Sequence, residues 1–139
     1  MAEAKKIALI AGVFHKDILD EMIEAAQAAL AGAGAHVSTV VQVSGAYELP
    51  LAAKMIFEKN DCDGIVVLGA IEKGETLDCA VMGATVSHFL VKLQLKYHKP
   101  IGIGIIGPGA TLEQMKVRAT QKAQQAVSAI LTMIDLQKK

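Results

Sequence analysis

Gly64-Ile-Val-Val-Leu-Gly-Ala70, continued by Ile71-Glu-Lys-Gly-Glu-Thr76, reads as a strand covered on both faces that hands a polar turn to a helix. An apolar run with small residues and no alternation is what a buried parallel strand requires. The helical pattern starts at Asp78. A turn in that place leaves backbone N–H groups free at the positive end of a helix dipole, which suits a phosphate. The same spacing also fits an ordinary strand-to-helix connection with a threonine near the helix start. The other strand ends must decide between the two.

Outward from this stretch the chain alternates strands and helices. Ile7 to Ala11 reads as a first strand, and Asp17 to Ala33 as a helix with Ile18, Leu19, Met22, Ile23, Ala26 and Leu30 on one face. Gly32 and Gly34 stop that helix. Val37 to Val43, rich in β-branched residues, is a second strand. Glu48 to Asn60 is a helix with Pro50 in its first turn. Gly64 to Ala70 is the third strand, Asp78 to Tyr97 a long helix closed by Pro100, and Ile101 to Ile106 a fourth strand. Thr111 caps a last helix to about Leu136, with Glu113 in the first turn. A repeated strand–helix order predicts an α/β fold, a three-layer αβα sandwich around a four-stranded parallel sheet. At 139 residues this is a single domain, 1–139.

Composition narrows the function. Net charge is zero, which argues against nucleic acid or another polyanion as partner. Two cysteines, Cys62 and Cys79, are too few for a disulfide framework, so a reducing cytoplasm is the expected setting. The apolar run after Met1-Ala-Glu-Ala-Lys-Lys6 is too short for a signal peptide, and no segment reaches the roughly 18 residues of a membrane span. An apolar-rich chain with little charge is also expected to bury surface against its own copies.

In a parallel sheet the strand-to-helix turns gather at the carboxyl edge, where ligands bind. Four turns therefore matter. The first, Gly12 to Lys16, carries Phe14, one of three phenylalanines. It either fills the core at a strand terminus or stands exposed to stack on a flat heterocycle. The second, Ser44 to Pro50, combines small residues that let a ligand approach the backbone with Glu48 at a helix start, where the dipole favours a carboxylate. Glu48 could equally accept hydrogen bonds from a polyol. The third carries Gly74-Glu75-Thr76, which has neither the Walker A nor the dinucleotide spacing. The fourth, Gly107-Pro108-Gly109-Ala110-Thr111, is explained in full as a Gly/Pro turn and helix cap. Arg118 is the sole arginine among 14 basic residues, and Lys122 lies on the same helix face at i+4. A planar bidentate donor in a chain otherwise built with lysine points to phosphate, against the plainer reading of a solvated face.

With these residues in view, the chain resembles the 6,7-dimethyl-8-ribityllumazine synthase family. The likeness rests on Phe14, on Gly45-Ala46-Tyr47-Glu48-Leu49-Pro50-Leu51-Ala52-Ala53-Lys54, and on Leu68-Gly69-Ala70 with Gly74-Glu75-Thr76. Arg118-Ala119 and Lys122-Ala123 match in the last helix. Tyr97-His98-Lys99-Pro100 and Gly107-Pro108-Gly109 look like archaeal members. The resemblance implies a flavodoxin-like fold and an enzyme that condenses 5-amino-6-ribitylaminouracil with 3,4-dihydroxy-2-butanone 4-phosphate, without metal or organic cofactor. It further implies that Phe14 stacks on the pyrimidine, while Gly45, Ala46, Tyr47 and Glu48 hold the ribityl chain. Ala70, Ile71, Gly74, Glu75 and Thr76 line the third turn's pocket. Ile106, Arg118 and Lys122 complete the site, the arginine reaching across from a neighbouring subunit. A homopentamer, or a 60-subunit icosahedral shell of twelve pentamers, is the implied assembly.

The sequence departs from that family at telling positions. The family's proton-shuttling histidine, two residues after the threonine, is Asp78 here. The asparagine after the stacking phenylalanine is His15, and the isoleucine before the basic residue of the third turn is Glu72. Asp78 or His15 is thus expected to carry the proton transfers, whereas His88 and Cys79 read as structural. The alternatives are a relative that kept the pocket and assembly but lost the chemistry, and a monomeric phospholigand-binding domain unrelated to flavin.

Overall fold

β3 (Gly64–Glu72) sits inside the sheet, paired in parallel with β1 (Lys6–Gly12) on one side and β4 (Ile101–Ala110) on the other. β2 (His36–Val43) pairs with the outer side of β1, so the strand order is β2-β1-β3-β4. The computed structural model describes residues 4–139; Met1–Glu3 of the N-terminal arm lie outside the described residues. Helices α1 (Lys16–Gly32), α2 (Leu49–Lys59), α3 (Asp78–Tyr97) and α4 (Leu112–Gln137) make the connections and the C-terminal cover, and one 3₁₀ turn, Ala46–Glu48, precedes α2. Among the described residues no helix is long and apolar enough to cross a membrane.

Handedness decides which helix lies where. The chain steps outward from β1 to β2, then reverses across β1 to reach β3 and continues to β4. Right-handed crossovers put α1 on one face and α2 and α3 on the other. Two apolar clusters show this division. Ile7, Leu9, Val66 and Leu68 pack with α1 and α4, whereas Ala8, Ile10, Ile65 and Val67 pack with α2 and α3. The alternation of burial partners along the apolar stretches of β1 and β3 is what their unbroken apolar runs encode. The Ile-Gly-Ile-Gly pattern of β4 belongs to the same logic. Ile101, Ile103 and Ile105 face α2 and α3, while Gly102 and Gly104 let α4 approach the strand closely. A Cβ on Gly102 would stand 2.2 Å from the carbonyl oxygen of Ala126.

The predicted elements are all present, with α3 at its expected bounds. The fourth turn is different. Gly107-Pro108-Gly109-Ala110 is no turn but the end of β4, because β3 also runs on to Glu72 and pairs Glu72 with Ala110. The Lys73 N–H donates to the Ala110 carbonyl at 2.7 Å. A register shift at Ile71 makes this possible, and Gly107, at φ 94°, accommodates it. Any side chain on Gly107 would strike the Ile71 carbonyl at 2.2 Å. Thr111 does cap α4. Its hydroxyl accepts from the Gln114 N–H, and the Gln114 side chain returns the bond to the Thr111 N–H.

Gly102→Ala is expected to destabilise the fold by about 1–3 kcal/mol, since the opposing atom is backbone and cannot rotate away. Urea unfolding measures this, and a midpoint equal to that of the unaltered protein would contradict the close packing of α4 on β4.

Candidate active site

The reversal of strand order between β1 and β3 opens a crevice at their carboxyl ends, because the helices that follow them leave to opposite faces. Phe14 and His15 come off β1 into this crevice, and Glu72 to Asp78 come off β3. Phe14 is 66% exposed, which rules out its core reading and leaves an aromatic face open at the rim. Tyr47 is 52% exposed on the 3₁₀ turn of the second connection. Glu48 is steadied by Ser44, whose hydroxyl donates to Oε1 at 2.6 Å. One oxygen of Glu48 is thereby oriented, with acceptor capacity left over for a polyol.

Turn three lies open. Lys73 through Asp78 are all exposed. No side chain caps α3 at Leu77, and the Thr76 hydroxyl accepts the Asp78 N–H at 3.3 Å. The first turn of α3 thus presents backbone donors to solvent, as an anion site requires. The same segment carries Glu72, Glu75 and Asp78 against Lys73 alone, three carboxylates to one ammonium. Ala70 is half-buried, and Ile71 is 4% exposed within the cluster under α2 and α3. The side chain of Ile71 therefore serves the core.

His15 occupies the cap position of α1 with φ 61° and ψ 59°. Its Nε2 lies 3.0 Å from Oε1 of Glu72, in a side chain 18% exposed. His88, by contrast, sits ten residues into α3, about 15 Å beyond Asp78 along the axis, edge-on to Phe89. It plays no part at the rim.

Arg118 and Lys122 lie elsewhere. They line a cleft of about 420 Å³ with Ile106, the Gly107-Pro108-Gly109 segment and Gln114, and no carboxylate lines it. Two cations one helical turn apart beside exposed backbone form an anion-binding arrangement. None of Phe14, Glu48 or Gly74–Thr76 lines this cleft. The candidate residues accordingly fall into two groups in one chain, an aromatic and acidic rim at β1/β3 and a cationic cleft at β4/α4. A larger cleft of about 650 Å³ lies at the opposite edge of the sheet. There Lys99 donates to Asn60 and to the Cys62 carbonyl, at 2.6 and 2.8 Å.

The family model described as 6,7-dimethyl-8-ribityllumazine synthase matches residues 4–138. The chain belongs to this family. It is 36% identical over 133 residues to a protein of Staphylothermus marinus, covering 96% of this chain and 89% of that one. A Metallosphaera sedula protein is 36% identical over 128 residues, 92% of this chain and 85% of its own length. A Picrophilus torridus protein is 35% identical over 133 residues, 96% and 97%. Each bears the name 6,7-dimethyl-8-ribityllumazine synthase. Two features of the site went unread in the sequence. Pro108 and Gly109, which the sequence pattern explains as a turn before a cap, line the cationic cleft. Glu72 is the second; its signal in the sequence is a lone carboxylate ending an otherwise apolar strand.

Cys79 and Cys62 report on the two edges. Burial pushes the Cys62 thiol above its ordinary value despite the nearby Lys99 ammonium, and the residue is 4% exposed. Cys79 is half-buried at the start of α3. Iodoacetamide near pH 8 should alkylate Cys79 first and leave Cys62 largely free, by mass spectrometry of the native protein. Equal labelling would contradict the buried setting of Cys62.

Proposed function

We propose that the protein is a 6,7-dimethyl-8-ribityllumazine synthase, condensing 5-amino-6-ribitylaminouracil with 3,4-dihydroxy-2-butanone 4-phosphate. The observation that carries the reading is the family match across residues 4–138. The exposed rim is of the kind such chemistry needs. Phe14 offers its face to the pyrimidine. Gly45, Ala46, Tyr47 and Glu48 hold the ribityl chain, with Glu48 accepting from its hydroxyls. Gly74, Glu75 and Thr76 present backbone N–H groups and a hydroxyl to the phosphate.

Electrostatics argue that this rim is half of a site. Three carboxylates stand around turn three, so helix N–H groups alone face an opposing local field for a phosphate. Arg118 and Lys122, in a cleft free of carboxylates, supply the missing charge when a neighbouring subunit brings its β4/α4 edge, with Ile106, against the rim. A homo-oligomer, a pentamer or a shell built of pentamers, is the assembly we propose. Its support lies in apolar side chains left exposed on three helices: Leu51 and Met55 on α2, Leu95 on α3 and Val117 on α4.

The reaction joins an amine to a ketone with loss of water, expels phosphate and closes a ring. Holding both substrates together supplies much of the rate. Proton transfers at the nitrogen and at the departing oxygens fall to His15, with Asp78 at the far side of the turn. The cytoplasm, where both cysteines stay reduced, is the compartment we propose. A second reading, a family member that kept the pocket but not the chemistry, draws on the carboxylates around turn three. It predicts ligand binding without turnover.

Mixing decides the matter. Phe14→Ala and Arg118→Ala are each expected to lose activity, the arginine change costing about 1.5–3 kcal/mol, roughly 10- to 150-fold in kcat/KM. Co-expressed, they should recover lumazine formation, because some interfaces then pair an intact rim with an intact cleft. A monomer by light scattering, or no recovery in the mixture, would sink the shared site, and an unaltered protein without turnover would sink the synthase reading.

A further inference from the structure

The imidazole of His15 has two partners. Nε2 stands 3.0 Å from Oε1 of Glu72. The ring also packs perpendicular to Phe14, with centroids 5.0 Å apart and planes at 85°. Nε2 is shielded from solvent and has no partner with hydrogen-bond geometry, so the carboxylate lies within ion-pair distance but off the N–H direction. What remains exposed of the side chain lies away from that nitrogen.

Both backbones are anchored. His15 holds a left-handed conformation that few residues other than glycine adopt, and its carbonyl accepts from the N–H groups of Ile18 and Leu19. Glu72 is fixed opposite Ala110 by the last rung of the sheet. Lys16, next in sequence, is engaged with Asp20 at 2.7 Å, and among the described residues His15 is the only basic side chain within ion-pair distance of Glu72.

We propose that Glu72 is a positioning residue for His15. This rests on the synthase reading of the site. A small rotation of either side chain turns the 3.0 Å contact into a hydrogen bond, which draws the proton of the neutral ring to Nε2 and leaves Nδ1 as the nitrogen that takes and returns protons. Perpendicular to the Phe14 ring with centroids 5.0 Å apart, the imidazole stands within reach of a heterocycle stacked on that ring. His15 then accepts a proton from the attacking amine as the C–N bond forms and returns it to the ketone oxygen, giving the carbinolamine; it next takes the remaining N–H proton and delivers it to that hydroxyl, which departs as water as the C=N bond forms.

The test is Glu72→Gln, which keeps the size and removes the charge. With both substrates, kcat should fall roughly 10- to 100-fold while KM for each is unchanged. The double variant with His15→Asn should be no slower than His15→Asn alone, because Glu72 acts through the ring. Unchanged kcat, fully additive losses, or a changed KM with kcat intact would each overturn the proposal. Imidazole nitrogen resonances of ¹⁵N-histidine-labelled protein give a readout independent of turnover. The His15 signals, identified by their loss in His15→Asn, should move in Glu72→Gln, and unmoved signals overturn the pairing. An unaltered protein that makes no lumazine overturns the synthase reading and the proton role of His15, while the resonances still decide whether Glu72 holds the ring.

Discussion

Parallel pairing of β3 with a strand on each side is the constraint from which the rest follows. It buries β3 on both faces and forces the helices after β1 and β3 to opposite sides. The crevice this leaves at the carboxyl ends of β1 and β3 is where Phe14, His15 and the third turn converge. The added rung between Glu72 and Ala110 extends the same pairing beyond the core. One ladder thereby fixes the acidic end of β3 and shapes the Gly107-Pro108-Gly109 wall of the cationic cleft.

Charge is divided between the two groups of site residues. The rim is rich in carboxylates, and the cleft holds Arg118 and Lys122 with none. Within one chain, turn three carries one ammonium, Lys73, against three carboxylates. In the oligomer proposed above, this separation becomes complementarity, positive edge to negative rim, which favours one register of association over others. The net charge of zero conceals this separation.

The contact between His15 and Glu72 joins two positions at which the sequence departs from the pattern it resembles. A third, Asp78, stands exposed at the start of α3 on the same turn. Taken singly, each substitution looks like a loss. Together on the rim, they place an imidazole and a carboxylate 3.0 Å apart beside an open aromatic face.

Strands, helices and their order were legible in the sequence because burial is periodic. The unbroken apolar run of β3, the 3.6-residue stripe of α1 and the Thr111 cap each carry a local physical signature. Phe14, Glu48 and the Gly-Glu-Thr turn were legible too, since strand ends in such a sheet meet at one edge. Exposure was not. Whether Phe14 faces the core or the solvent depends on how α1 leaves β1, and no local pattern encodes that. The extension of β4 through two glycines and a proline was equally hidden, for its cause is a hydrogen-bonding partner on β3, 38 residues earlier at Glu72. The meeting of His15 with Glu72 needed the strand order itself. Residues 57 apart touch because β1 and β3 are neighbours and β2 is not between them, a result of crossover geometry rather than of any single segment.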